Sequence, residues 1–462
     1  MKGKIRIGAF LLIVFVVVSC DGLLEQEPPN SLLPSEAIRT QQDLEQVLIS
    51  AYDVLANTYN GDAQNMANLL ADHVARPAAD ARYESIWLRS STIFNNFSNP
   101  VFSNFYIAVL RSNTVLENLE NVSNISEVDQ NRIAAEARFV RALCHFDVVR
   151  LYAHPYGFTP GNSHPGVAIR SSSDVENSVI SRSTVGEVFN FILEDITFAK
   201  ENLPVNNGIF ANKDAALALE AAVKFQMQDY ESVYALTTEI IESGQNTFSP
   251  ANVNQFTFPD PSSEAIFYIA STPLTGTTID SRNGGFRGQW NTQGNTPNLR
   301  VTQEFYSQIT QFGGPRSDLF LEINQDGSIF YATSKFNEQN FQIPIFTTTQ
   351  MMLLRAESAA ELQTNLDVAI ADINMIRQRA YGFSGNNLLE TASAQEVLEA
   401  AREELWFELP FTGQRIHDLR RRGAQGENIE IRGASWDCDG MLIQFPATEA
   451  TSAFAINPGG GC

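Results

Sequence analysis

The sequence predicts a mostly α-helical protein in which paired helices scaffold an irregular, loop-rich lobe. Three observations predict it. Several long segments place apolar residues at spacings of three and four, the period of a helix with one buried face. Alanines cluster where such helices would have to approach closely, as in "KDAALALEAAVKFQ". Between these segments, from about Thr247 to Ile345, the chain is rich in Asn, Gly, Ser, Thr and Pro and has only short apolar bursts such as "EAIFYIA" and "FQIPIF". Long stretches of that kind are usually functional or disordered.

At the start, Lys2, Lys4 and Arg6 precede the apolar run Ile7 to Val18. That run is shorter than the roughly 20 residues needed to cross a bilayer. A basic start, a short apolar centre and a small residue before the break read as a secretory signal. The break, Val17-Val18-Ser19-Cys20, resembles the bacterial lipobox, in which the cysteine is acylated and becomes the new N-terminus. Residues 1–19 are therefore expected to be a lipoprotein signal peptide, with Cys20 the lipidation site. Several acyl chains on one cysteine anchor stably, because each buried CH₂ contributes about 0.8 kcal/mol. Residues 20–38 are expected to be a tether, since Asp21 to Pro34 are polar, acidic and proline-containing.

The helical segments follow in order. "NFYIAVLRSNTVLENL" sets Phe105, Val109, Leu116 and Leu119 on one face. "RIAAEARFVRALCHFDVVRLYA" is apolar over a wide arc and is expected to be buried on most sides. "KDAALALEAAVKFQMQDYESVYALTTEIIESG" divides into two helices at Gln228-Asp229, with Tyr230, Val233, Tyr234, Ile240 and Ile241 as the second stripe and Gly244 as its stop. Two further pairs are "TTTQMMLLRAESAAEL" with "LDVAIADINMIRQRAYG", and "AQEVLEAAREELWFEL" with "GQRIHDLRR". Units of about 34 residues with small residues at the contacts point to tetratricopeptide-like pairs, although the W-x₂-L-G signature is absent.

Composition narrows the function. The 462 residues carry 31 Lys+Arg against 53 Asp+Glu, a net charge of −22. That argues against nucleic acid, whose affinity comes mainly from neutralised phosphates. The one basic cluster, Arg420 to Arg422 before Gly423, is expected to complement a helix C-terminus. Of four cysteines, Cys20 is assigned to lipid and Cys144 to a buried helical position; Cys438 and Cys462 are expected to form a disulfide. The five histidines show no metal spacing, and there is neither a GxSxG elbow nor a Walker-type loop. Glu403 and Glu404 point about 100° apart on a helix, which favours scaffold contacts over glycosidase chemistry. "NQDGS" and "DCDG" carry fragments of a calcium-loop pattern without its trailing glutamate. No enzyme, cofactor or metal site is read from the chain.

The chain resembles the RagB/SusD family of surface nutrient-binding lipoproteins of Bacteroidetes. The resemblance is carried by the lipobox cysteine and tether, "TQQDLEQVLISAYDVL", "LLADHV", "EARFVRALCHFDVVRLYAHPYG", "MLLRAESAAEL…INMIRQRAYG", "REELWFELPFTGQRIHDLRRRG" and the closing "LIQFPATEATSAFAINPGGGC". "IPIFTTTQ" departs from it, standing where the family often has an arginine and an acidic residue. The resemblance implies a SusD-like fold with four tetratricopeptide-like helix pairs. On this reading residues 39–462 form a single domain, with a helical scaffold at about 39–245 and 346–423 and a loop-rich lobe at about 246–345 and 424–462. It implies delivery of oligosaccharide or polysaccharide to a SusC-like, TonB-dependent outer-membrane transporter, from a cell-surface position anchored through Cys20.

Neutral glycans are read by flat aromatic platforms with Asp, Asn and Arg around them. Two stretches supply that mixture: Asp72, Arg76, Tyr83 and Trp87, and then Asn283, Phe286, Arg287 and Trp290. Trp290 is expected to bind because its loop offers few apolar neighbours, whereas Trp406 is expected to be core and Trp436 to pack against the disulfide. A neutral glucan or fructan is the expected ligand. The competing readings are a peptide-capturing RagB-like binder and a helical-repeat scaffold of a surface complex.

Overall fold

The computed structural model describes residues 38–77, 79–174, 180–271, 283–294 and 296–462. The signal peptide, Cys20 and the tether up to residue 37 lie outside the described residues. Among the described residues, no helix is long and apolar enough to cross a membrane.

The chain opens with α1 (Gln41–Thr58), α2 (Asp62–Leu70) and the short α3 (Ala81–Trp87), then α4 (Ser98–Asn118) and the long α5 (Glu127–Tyr152). Three more helices follow: α6 (Val185–Asn202), α7 (Lys213–Gln226) and α8 (Tyr230–Ser243). The lobe holds β1 (Ala265–Ile269), α9 (Gly284–Trp290), α10 (Gln303–Ile309), β2 (Phe320–Gln325), β3 (Ser328–Thr333) and β4 (Ile343–Thr347). The chain then returns to helices with α11 (Thr348–Leu362), α12 (Leu366–Tyr381), α13 (Ala394–Glu408) and α14 (Arg415–Ala424), and ends beyond the two-residue strands β5 (Glu430–Ile431) and β6 (Ala434–Ser435).

Local chemistry sets these boundaries. Capping boxes start α1 (Thr40 with Asp43), α6 (Thr184 with Glu187) and α13 (Ser393 with Glu396), each satisfying orphan N–H donors at the first turn. Asp229 caps α8, and Gly244 ends it in the left-handed conformation that glycine tolerates, as the sequence predicts. Helices pack on their sequence neighbours in a run from α4 through α5, α6 and α7 to α8; α8 then packs on α11, and α11 on α12 and α13. As expected from its wide apolar arc, α5 is buried along most of its length.

In the lobe, β1 pairs antiparallel with β4, delivering the chain directly into α11. The β2–β3 hairpin turns at Asp326-Gly327, both at positive φ, the arrangement that a two-residue hairpin loop requires. The "NQDGS" fragment is thus a hairpin turn. The basic cluster also differs from expectation. Arg420 is buried and donates to the carbonyl oxygens of Arg150 and Ala153, closing the C-terminal end of α5 and not that of its own helix. Arg421 is buried against Glu357 and Asp418, each at 2.7 Å. Cys438 and Cys462 are joined by a disulfide, and Trp436 packs over Gly423 and edge-on to Phe158.

Candidate functional site

Residues 72–75 form a strip that ties the first helices to the lobe. Thr302 N–H donates to His73 O at 3.1 Å, Ala75 N–H to Arg300 O at 2.9 Å, and Val301 N–H to Tyr331 O at 2.9 Å, joining the strip to β3. Two indoles close on it from distant parts of the chain. Trp87 Nε1 donates to Val74 O at 2.8 Å, and Trp406 Nε1 donates to the neighbouring His73 Nδ1 at 3.4 Å.

Each indole carries a guanidinium on its face. Arg432 lies 4.2 Å from the Trp87 ring centre and Arg415 lies 4.1 Å from that of Trp406. Arg432 is fixed by the carbonyl oxygens of Trp87 (2.8 Å) and Leu69 (3.0 Å), and Arg415 by Asp72 at 2.7 Å. A desolvated cation over an indole contributes about 0.5–2 kcal/mol. Burial pushes the Asp72 carboxyl up, but the charge and hydrogen bonds of Arg415 outweigh it and hold the group below its ordinary value. Burial holds His73 down to about 3, so its ring is neutral and can accept from Trp406. Around Trp87, Arg76 is exposed and paired with Glu84 at 2.7 Å, and the following chain leaves Leu88 and Phe94 as exposed apolar surface, Phe94 at 71%.

The structure brings Asp72, Arg76 and Trp87 of the first expected stretch together at this surface but buries Tyr83 and three residues of the second. Trp290 is fully buried, its indole N–H donating to Asn65 Oδ1 at 2.9 Å and its ring 4.4 Å from that of Phe411. Phe286 is likewise buried, stacked 4.5 Å from Phe336. Asn283 is buried with its amide donating to Gln339 O, and Arg287 is half-buried. The apolar neighbours missing from the local sequence of Trp290 arrive from Phe336 and Phe411, far along the chain. Two glycines permit this approach: a Cβ on Gly61 would sit 2.3 Å from Phe286 N, and one on Gly285 would sit 2.7 Å from Asp62 N. Tyr83 is also buried, stacked 4.2 Å from Phe97. Of the eight residues, Asp72, Arg76, Trp87 and Arg287 keep any accessible side chain.

Trp406 is the residue that sequence reasoning misplaced. It is half-buried and faces an open groove. A signal existed: the buried stripe Val397, Ala401, Glu404 and Leu405 leaves position 406 about 200° from Glu404 around the helix.

Residues 23–225 match a family model described as starch-binding and associating with the outer membrane, and residues 323–435 match the model of the SusD family. The chain belongs to the SusD/RagB family. Among SusD-like proteins of Formosa agariphila, P2 is 23% identical over 479 residues, covering 89% of each chain, and P25 is 22% identical over 257 residues. The P25 match spans 52% of this chain and about half (47%) of that relative. The fold is shared with a SusD superfamily protein from Bacteroides vulgatus (TM-score 0.80, 19% identity, 91% of this chain and 99% of that one). It is also shared with surface glycan-binding protein A from Bacteroides fluxus (TM-score 0.72, 19% identity, 92% and 100%). The SusD-family matches end within α7 and resume in β2, so the residues between, including Asn283 to Trp290, lie outside both.

Proposed function

We propose that this chain is a non-catalytic surface lipoprotein, anchored through Cys20, that captures an oligosaccharide or polysaccharide and passes it to a SusC-like TonB-dependent transporter. The observation that carries the reading is the Trp87–Arg432 stack at the edge of the strip, with Arg76 beside it and the apolar surface of Leu88 and Phe94 following in the chain. A flat ring offers a sugar its apolar CH face, while guanidinium donors satisfy hydroxyl oxygens that lose water on binding. The acidic chain favours a neutral glucan or fructan over an anionic polymer.

The test is calorimetric titration of the chain lacking residues 1–20 against glucans, fructans, mannans, alginate and a mixed peptide pool. Saturable binding to one neutral glycan is expected, weakened at least about tenfold in Trp87→Ala, the loss of roughly 1.4 kcal/mol or more from a removed platform. Binding to peptides alone would replace this reading with peptide capture. For the anchor, incorporation of labelled palmitate by the full chain should vanish in Cys20→Ala.

A further inference from the structure

The flank of α13 and α14 borders an open groove of about 720 Å³, within the range of roughly 300–1,000 Å³ typical of ligand clefts. Trp406 lines it, one face under Arg415 and its ring 5.1 Å from that of Phe305. The amide side chains of Gln308, Gln395 and Gln425 stand around it.

The cations of the groove are already matched. Arg402 contacts Glu357 and Glu361 at 2.9 Å and Glu427 at 2.8 Å, Arg422 contacts Glu427 at 2.8 Å, and Arg415 holds Asp72. These pairs fix the guanidiniums in place and leave little net positive field for an anion. Carboxylates in such pairs retain lone pairs that can accept from hydroxyls, and the amides both donate and accept. A neutral ligand rich in hydroxyls, with an apolar face to lay along the indole edge, matches that lining.

We propose that the groove lined by Trp406, Gln308, Gln395 and Gln425 is a second carbohydrate subsite, for a neutral glycan chain. The inference rests on the glycan-capture reading and extends it. Because Trp406 and Trp87 are anchored on the successive residues His73 and Val74, a long chain can engage both places. Tethering through the first then raises the effective concentration at the second, and affinity grows with chain length.

The test uses native affinity electrophoresis of the same chain in gels containing soluble starch, inulin, barley β-glucan or galactomannan. The retarding polymer is then titrated by calorimetry alongside its three- and eight-unit fragments. Trp406→Ala is compared with Gln395→Trp, which fills the groove from an exposed helical position without touching the core. Both variants should lose at least tenfold in affinity for polymer and eight-unit fragment, while Trp87-dependent binding of the three-unit fragment persists. Wild-type binding of polymer by both variants would overturn the subsite and leave the glycan reading intact. Loss in Trp406→Ala with Gln395→Trp unchanged would trace the effect to packing, and would also overturn it. No retardation of the wild type by any polymer would remove both readings.

Discussion

Around α11, α12 and α13 buried charge pairs flank an apolar cluster of Ala356, Ala359, Ile370, Ile373, Val397 and Ala401, whereas between α2 and the lobe the interior is filled with rings. In the first region Arg316 bridges Glu404 (2.6 Å) and Glu408 (2.7 Å), Arg379 joins Glu408 (2.7 Å) to Glu264, and Arg355 meets Asp372 at 2.8 Å. In the second, Phe256, Phe286, Trp290, Phe336, Phe341 and Phe411 make edge and stacked contacts around Lys335. The difference is one of tolerance. A ring can be replaced at the cost of a cavity, but a buried charge that loses its partner leaves a desolvated ion behind. The ion-paired part of the helical region is therefore specified by exact partners, and the lobe by volume and shape.

The largest expected effect breaks the ionic region. Arg379→Met strips Glu264 and Glu408 of a shared cation and should cost about 3–5 kcal/mol in urea unfolding. A cost below about 1 kcal/mol would mean that water or a rearranged Arg316 replaces it, and the contrast would weaken. Burial pushes the Glu408 carboxyl up, but Arg379 and Arg316 outweigh it and hold the group below its ordinary value. The stability this pairing adds is thus present above pH about 4.5 and is lost as pH falls through the lower folded value.

Trp290→Ala should cost a comparable or slightly smaller amount, about 3–5 kcal/mol, by opening a cavity and freeing Asn65. Its carbohydrate affinity, measured on the folded fraction, should stay within about twofold of wild type, since a change of less than roughly 0.4 kcal/mol is expected of a residue with no exposed surface. A specific tenfold loss of affinity would restore Trp290 to the ligand site.

The smallest effect has the opposite sign. Lys335 is buried, its ammonium donating to Pro410 O at 3.3 Å, and burial holds it down to about 8 against an ordinary 10.5, with Glu408 opposing the shift. Between those values the unfolded chain binds the extra proton and the folded one does not. Stability therefore rises as pH climbs from about 8 towards 10.5, and the full cost of the buried cation is felt below about 8. Lys335→Met should stabilise by about 1–3 kcal/mol at pH 7, with the gain narrowing towards pH 10. Thermal melts at several pH values decide it; a constant difference would show that the proton is not involved.

The legibility of the chain follows the same division. Helix periodicity, the Gln228-Asp229 turn and the Gly244 stop are local signals, and the structure places α7 and α8 where they fall. Most of the resemblance blocks between residues 40 and 423 fall largely on helices for the same reason, since their patterns are short-range, whereas the closing block at 442–462 lies beyond the last α-helix. The fate of a lobe aromatic is a different kind of fact. The sequence around Trp290 is Gly- and Asn-rich, so its burial could be read only from Phe336 and Phe411, and no local pattern encodes their arrival. Trp87 and Trp406 show the same limit, since the sequence places Trp406 in the core, and their anchoring on adjacent residues of one strip joins segments more than 300 residues apart.

By itself, the sequence determined a mostly helical chain, its caps and turns, its acidic balance and its family. These depend on periodicity and composition, which act over one or two helical turns. Only the tertiary structure decided which aromatics are core and which face solvent, which arginines are spent on carboxylates, and that Arg420 closes a helix other than its own. Burial is a property of what packs against a side chain, and for these residues the packing partners come from the far end of the chain.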